Sequence, residues 1–246
     1  MKQNKSALIT GASRGIGRAV ALELASRGYD IIINFLTNKK LAEDLCQYIK
    51  SNFKVRAITL CANVGVESDV KEMIDEAVKE FGRIDVLVNN AGIQSLEPFA
   101  DKTVDKIEKT FNVNFIGPYL VTKYTAPIML KNKYGKIINI SSNDVYKGCS
   151  SDIFDYDASK ASLSIFTRAM AEEFAPFINV NTISPGWIKT DMLNDLPKEF
   201  LESEAQHIYK RRIGTPEDVA KLAAFLVSDD AEYIDGENII IDGGME

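Results

Sequence analysis

Short runs of branched, apolar residues alternate with longer amphipathic stretches from one end of this chain to the other, and few folds accommodate that pattern. Ser6-Ala7-Leu8-Ile9-Thr10, Ile31-Ile32-Ile33-Asn34, residues 55–60, Ile84-Asp85-Val86-Leu87-Val88, Lys136-Ile137-Ile138-Asn139-Ile140, residues 178–183 and residues 238–241 read as strands. Helical periodicity fills the intervals, over about 15–27, 39–51, 67–81, 103–131, 157–175 and 216–228. Strands apolar at consecutive positions are buried on both faces, and strands joined through helices run parallel. The chain therefore predicts a single α/β domain, a doubly wound parallel sheet of about seven strands with helices on both faces. No repeat, low-complexity tract or linker divides its 246 residues. Pro118 and Pro127 interrupt the 103–131 stretch, with Gly117-Pro118 the expected kink. Residues 192–212 are polar and poorly periodic and read as an irregular lid or substrate loop, before Thr215-Pro216-Glu217-Asp218 opens the next helix.

Several function classes have nothing to stand on. A formal net charge of −6, with only Lys131, Lys133 and Lys136 as a local basic patch, argues against nucleic acid or an anionic membrane as partner. No apolar stretch approaches the ~20 residues of a membrane span. Met1-Lys2-Gln3-Asn4-Lys5 is not the start of a signal peptide, so a cytoplasmic protein is expected. Cys46, Cys61 and Cys149 are too scattered for a zinc site or a disulfide framework and read as buried structural thiols. His207, the only histidine, lies near no nucleophile motif and reads as a surface or helix-packing residue.

Two motifs carry chemistry. The first strand runs into Thr10-Gly11-Ala12-Ser13-Arg14-Gly15-Ile16-Gly17, where glycines permit a tight turn and the following helix offers free N–H groups to a pyrophosphate. The spacing is G-x-x-x-G-x-G, not the G-x-G-x-x-G dinucleotide fingerprint. At the end of the second strand an NAD site wants a carboxylate, and this chain has Asn34-Phe35-Leu36-Thr37. Arg14, helped by Lys39 or Lys40, could instead meet a 2′-phosphate, which favours NADP(H) over NAD(H). The second motif, Tyr156-Asp-Ala-Ser-Lys160, sets a phenol and an ammonium on one helix face. A fixed cation favours the phenolate and brings the tyrosine towards useful general acid–base chemistry.

Together these residues resemble the short-chain dehydrogenase/reductase family, with a Rossmann-type fold. The glycine turn, Asn89-Asn90-Ala91-Gly92, Asn114, Ile140-Ser141-Ser142, Tyr156 and Lys160, Ser184-Pro185-Gly186 and Ile241-Asp242-Gly243-Gly244 follow the family's order across almost the whole chain. The resemblance implies that Tyr156 exchanges a proton with the substrate oxygen and that Lys160 holds the nicotinamide ribose and lowers the tyrosine's pKa. It implies that Ser142, or Ser141 beside it, hydrogen-bonds the same oxygen, and that Asn114 holds a water leading from Lys160 to solvent. Gly11, Ser13, Arg14, Gly15, Ile16 and Gly17 would cradle the phosphates, with Asn34 and Phe35 next to them. Asn90, Ala91 and Gly92 would border the adenosine ribose, Asn63 and Val64 the adenine, and Pro185, Gly186, Ile188 and Thr190 the nicotinamide. Asn63 stands where the family usually has aspartate, and the interval from Ser142 to Tyr156 is one residue longer than usual. The loop around that interval is acidic, with Asp144, Asp152, Asp155 and Asp157 near the substrate mouth.

The pattern, including Arg212-Ile213-Gly214-Thr215-Pro216-Glu217-Asp218-Val219-Ala220, is most similar to 3-oxoacyl-(acyl-carrier-protein) reductases. The substrate implied is an acyl thioester, with an acyl carrier protein as a possible partner and Lys133 at one carrier-docking position. Reduction or oxidation of a sugar or other small ketone or alcohol is the alternative, and a catalytically silent NADP-binding regulator a third. Relatives of this kind assemble as homotetramers through the helices at about 103–131 and 157–175. Ala158, Ala161, Leu163 and Phe166 are the small and apolar residues suited to such packing.

Overall fold

The seven expected strands pair into one parallel sheet. A computed structural model describes residues 4–148, 150–194 and 196–245. Its strands are β1 (Ser6–Ile9), β2 (Asp30–Phe35), β3 (Ala57–Cys61), β4 (Val86–Asn89), β5 (Gly135–Ile140), β6 (Ile178–Pro185) and β7 (Asn238–Ile241), in the order β3-β2-β1-β4-β5-β6-β7. Period-two alternation decides which side chain meets which layer. Ala7, Ile9, Ile31 and Ile33 point to one layer, with α1 (Gly15–Ser26), α2 (Lys39–Asn52) and α9 (Pro216–Leu226). Leu8, Ile32 and Leu87 point to the other, with α3 (Glu67–Phe81), α5 (Gly117–Asn132) and part of α7 (Phe154–Phe174). Ile9 lies opposite both Ile33 and Val88, so winding reverses between β1 and β4. In an open α/β sheet that reversal opens a crevice at the carboxyl ends of the strands.

The expected kink at Gly117-Pro118 is a π-turn instead. α4 (Val104–Phe111) continues through a π-turn over Asn112–Ile116 into α5, with Pro118 in the first turn of α5. Proline has no N–H for the carbonyl of Asn114 four residues earlier, and a widened turn absorbs the missing bond. Pro127 stays within α5.

The segment 192–212 is not irregular throughout. A 3₁₀ turn over Asp191–Leu193 is followed by α8 (Lys198–His207). None of the residues of α8 is fully buried, so it leaves only a weak periodic signal in the sequence. It is held by Trp187, whose ring meets Phe200 edge to face at 5.8 Å and whose indole N–H donates to Glu204 at 3.0 Å. His207 is exposed at its end. Cys46 is buried, but Cys61, the last residue of edge strand β3, is exposed, contrary to its reading as a core thiol. Cys149 lies outside the described residues. Among the described residues no helix is long and apolar enough to cross a membrane.

One buried ion pair gave no sign in the sequence. Lys102, between β4 and α4, donates to Asp155 Oδ1 at 2.9 Å and to the carbonyl of Ser95 at 2.6 Å. Thr110 of α4 donates to the other carboxylate oxygen at 2.7 Å. Both charged side chains are fully buried, and the cluster pins the first turn of α7 to the loop after β4. Removing one member strands the other charge, at a cost of about 3–5 kcal/mol. Lys102→Met should therefore lower the thermal midpoint by on the order of 10 °C, and Lys102→Met/Asp155→Leu by clearly less, as measured by thermal denaturation.

Candidate active site

The glycine turn is fixed from three sides. The hydroxyl of Thr10 accepts the N–H groups of Asn90 and Ala91 at 2.9 and 3.0 Å. The Asn90 amide donates back to the carbonyls of Thr10 and Gly11 at 2.9 and 3.2 Å. Gly17 permits this approach, since a Cβ there would stand 2.5 Å from Asn90 Nδ2. Asn34, expected beside the cofactor, turns its side chain under the glycine turn: it is buried, accepting from Gly11 N–H at 3.2 Å and donating to the carbonyl of Ala62 at 3.1 Å. It braces the turn from beneath. Phe35 is likewise buried, and no carboxylate follows before Leu36 and Thr37.

The turn suits a pyrophosphate. The amino end of α1 has no side-chain cap and no acid in its first turn, so its N–H groups and positive dipole end lack an internal partner. Beside it a cavity of about 490 Å³ is lined by Ser13, Arg14, Arg18, Asp44, Tyr48 and Asp191. Arg14 forms an exposed ion pair with Asp191 at 3.1 Å. Lys39 and Lys40 pair with Glu43 and Asp44 along α2. Gly15 lies against Thr190, Ile188 is buried and bridges to Gly214, and Pro185 ends β6 with Gly186 next to it, so the segment expected near nicotinamide reaches the same crevice. Asn63 accepts from the N–H of Gly65 at 3.0 Å, and Val64 packs into the core against Gly117.

Across the crevice, at the carboxyl end of β5, Ser142, Tyr156 and Lys160 share one corner. Tyr156 and Lys160 are buried in the first two turns of α7, with the ammonium 5.8 Å from the phenol ring centre. Lys160 donates to the carbonyl of Ile140 at 2.7 Å, and burial pulls its pKa down to about 8. Burial pushes the Tyr156 phenol well above its ordinary value, and the charges of Asp144 and Asp157 push it further, while contact with the Ser142 hydroxyl pulls the other way. The Lys160 ammonium is committed to a backbone carbonyl. Ser141 donates to the carbonyl of Lys160 at 2.8 Å and faces inward, whereas Ser142 meets Tyr156.

Asn114 lies in the π-turn, fully buried. It accepts from Ile93 N–H at 2.8 Å and donates to Ile93 O at 2.9 Å and Ser159 Oγ at 3.0 Å. Between it and Lys160 sits Gly92, where a Cβ would stand 3.2 Å from Lys160 Nζ and 3.4 Å from Asn114 Oδ1. That gap is one a ribose could approach, and with the bare end of α1 it fits a nicotinamide dinucleotide.

Sequence comparison agrees with this geometry. The profile of the family described as enoyl-(acyl carrier protein) reductase matches residues 11–246. The 3-oxoacyl-(acyl-carrier-protein) reductase FabG of Staphylococcus epidermidis is 39% identical over 243 residues, covering 98% of this chain and 99% of the relative. That of Aquifex aeolicus is 37% identical over 244 residues, covering 99% and 98%. A crystal structure of a short-chain dehydrogenase/reductase, glucose/ribitol dehydrogenase, from Brucella melitensis superposes with a TM-score of 0.92 at 29% identity, covering 99% of this chain and 97% of that one. Acetoin dehydrogenase YohF from Salmonella typhimurium gives 0.89 at 33% identity, covering 99% and 96%. The chain belongs to the short-chain dehydrogenase/reductase family. It is an oxidoreductase of CH–OH and C=O groups that uses a nicotinamide cofactor, similar over its full length to 3-oxoacyl-(acyl-carrier-protein) reductases.

One acid beside the centre is strained electrostatically. Asp157 is buried, accepts from Ser150 N–H at 3.3 Å, and leaves Oδ1 without a partner. Burial, then the charge of Asp144, raises its pKa from 3.8 to about 6. A raised carboxylate pKa penalises the fold above pH 6, and the penalty fades as pH falls through 6 towards 4. Asp157→Asn should be more stable than the parent at pH 7 and lose that advantage between pH ~6 and ~4, followed by denaturant unfolding across pH.

Proposed function

We propose that the chain is an NADP(H)-dependent reductase of ketones, working with Tyr156 as general acid, Ser142 as oxyanion donor and Lys160 as the residue that holds the nicotinamide ribose. The observation that carries this reading is the buried corner of Ser142, Tyr156 and Lys160 facing the uncapped end of α1 across the crevice. When bound, the nicotinamide supplies hydride to the carbonyl carbon. Tyr156 then delivers its proton to the carbonyl oxygen, and its raised pKa keeps that proton in place at neutral pH. The Ser142 hydroxyl lies where it could stabilise the growing charge on the same oxygen. Asn114 holds Ile93 and Ser159, and through them the register of the loop after β4 against α7. The full-length likeness to 3-oxoacyl reductases favours a short 3-oxoacyl thioester as substrate.

Lys133, expected at a carrier-docking position, lies away from its own subunit's mouth. That residue ends α5 just before β5, at the opposite end of the sheet from Tyr156, and its ammonium lies 5.9 Å from the ring centre of Phe177. For assembly into a homotetramer, Leu163 and Phe166 are buried in their own subunit, whereas Ala158 is exposed and Ala161 half-buried, and Ile116, Tyr119 and Ile165 are also exposed on the helices concerned and support such packing. We place the enzyme in the cytoplasm.

With a short 3-oxoacyl thioester, NADPH absorbance should fall in the presence of the protein, and Tyr156→Phe should slow that turnover by ~10²–10⁴-fold while leaving NADPH binding intact. Normal turnover in the variant would sink the assignment of Tyr156. A 2-enoyl thioester in the same assay tests the chemistry named by the family description. The cofactor preference rests on Arg14 and Arg18 lining one cavity, with no acid at the end of β2. Arg14→Gln should weaken NADPH binding by ~10–100-fold and leave NADH binding nearly unchanged in calorimetric titrations, as expected for loss of a charge-assisted bond. Equal losses for both cofactors would assign Arg14 to the pyrophosphate instead.

A further inference from the structure

The turn of α7 that carries Tyr156 is anchored separately from the turn that carries Lys160. Lys160 is tied to β5 and its end: its ammonium donates to the carbonyl of Ile140, and its own carbonyl accepts from Ser141 at 2.8 Å. Tyr156 directly follows Asp155, where the loop after β4 reaches α7. The buried Asp155 carboxylate accepts from Lys102 on one oxygen at 2.9 Å and from Thr110 on the other at 2.7 Å, and the Tyr156 N–H lies near it as well. Lys102 donates a second hydrogen to the carbonyl of Ser95 at 2.6 Å. Two contacts flank this cluster. Glu97 N–H donates to the carbonyl of Asp152 at 3.2 Å, and the rings of Phe99 and Phe154 meet at 5.5 Å. Ser95 lies three residues past Gly92, which borders the gap beside Lys160 Nζ and Asn114 Oδ1. One buried ammonium thus holds both the wall of that gap and the first turn of α7.

We propose that Lys102 and Asp155 are positioning residues for proton transfer, which act through Tyr156 by fixing its turn of α7 against the loop after β4. Both side chains are fully buried, so neither reaches a ligand in the crevice. A buried ion pair is no more stabilising than apolar side chains of similar volume. What it adds is direction: bonds to both carboxylate oxygens fix the rotation of the turn, which apolar contact leaves looser. The phenol oxygen stands at the end of a long rigid side chain, so a small rotation of the turn moves it further than the backbone. A misplacement of about 1 Å at a reacting group can cost ~10²-fold in rate. This inference rests on the reading of Tyr156 as general acid and adds what holds it in place.

Stability and activity should part in two variants, assayed with NADPH and a short 3-oxoacyl thioester. Lys102→Met/Asp155→Leu removes both buried charges and should keep most of the parent's thermal midpoint. Its kcat should nevertheless fall by ~10–100-fold, with KM and NADPH affinity within a few-fold of the parent's and a larger solvent deuterium isotope effect on kcat. Asp155→Asn keeps the bonds: its amide oxygen accepts from Lys102 and its amide N–H donates to Thr110, whose own proton has the carbonyl of Lys106 at 3.0 Å. It should be the less stable variant, because Lys102 loses its counter-charge, yet hold kcat within a few-fold of the parent's. A kcat that follows the thermal midpoint across the two variants would overturn the positioning role and leave Tyr156 as general acid standing. So would a loss confined to KM or to NADPH binding. Should Asp155→Asn fail to fold, a parent-like kcat in the double variant overturns the role on its own, and the fall with the raised isotope effect supports it. No turnover by the parent would overturn the reading of Tyr156 and this inference together.

Discussion

A chain of side-chain hydrogen bonds across the carboxyl ends of the strands holds the two halves of this site in register. It starts at Asn34 beneath the glycine turn, passes to Gly11, and crosses from β1 to β4 through Thr10 and Asn90. Three residues on, Ile93 is gripped at both its N–H and its carbonyl by Asn114, which also reaches Ser159, and Ser159 donates to the backbone carbonyl of Tyr156 at 2.7 Å. Parallel strands give backbone ladders along their length but none beyond their ends, so the loops that form the crevice need partners of another kind. Buried amides and hydroxyls supply them. Loss of one link leaves its neighbour desolvated and unpaired, which costs more than the bond itself contributes. The same spine therefore sets both the cradle at α1 and the position of the proton-transferring residues on α7.

Most of this layout was legible in the sequence because parallel-sheet architecture leaves a strong mark. Ile31-Ile32-Ile33 can be nothing but a strand covered on both faces, and the glycine turn can only follow such a strand. What stayed hidden had weaker signatures. α8 buries none of its residues fully and so leaves only a weak periodic signal. The π-turn ahead of Pro118 follows from one missing N–H, which the sequence marks as a kink without saying how it is absorbed. Asn34 stands where a cofactor contact is expected, but a buried carbonyl-rich pocket under the turn claims its amide. Cys61 carries the name of a core residue at the last position of an edge strand. Lys133 matches a family position in linear order, while the direction of β5 puts it at the far end of the sheet from the mouth it was expected to flank.

Burial bears on the electrostatics of Tyr156 and Lys160 as much as their spacing does. Four residues on a helix bring a cation near a phenol, and in water that pair would favour the phenolate. Burial changes the balance, because each charged form must leave water before it can help the other. The ammonium recovers part of its loss from the carbonyl of Ile140, and the phenol, with two carboxylates near it, has every reason to stay neutral. A neutral phenol is the form that donates, which supports the proposed role of Tyr156 as an acid towards a carbonyl. Around the phenol Asp144 accepts from Ser142, and Asp157, the residue after Tyr156, keeps one buried carboxylate oxygen without a partner.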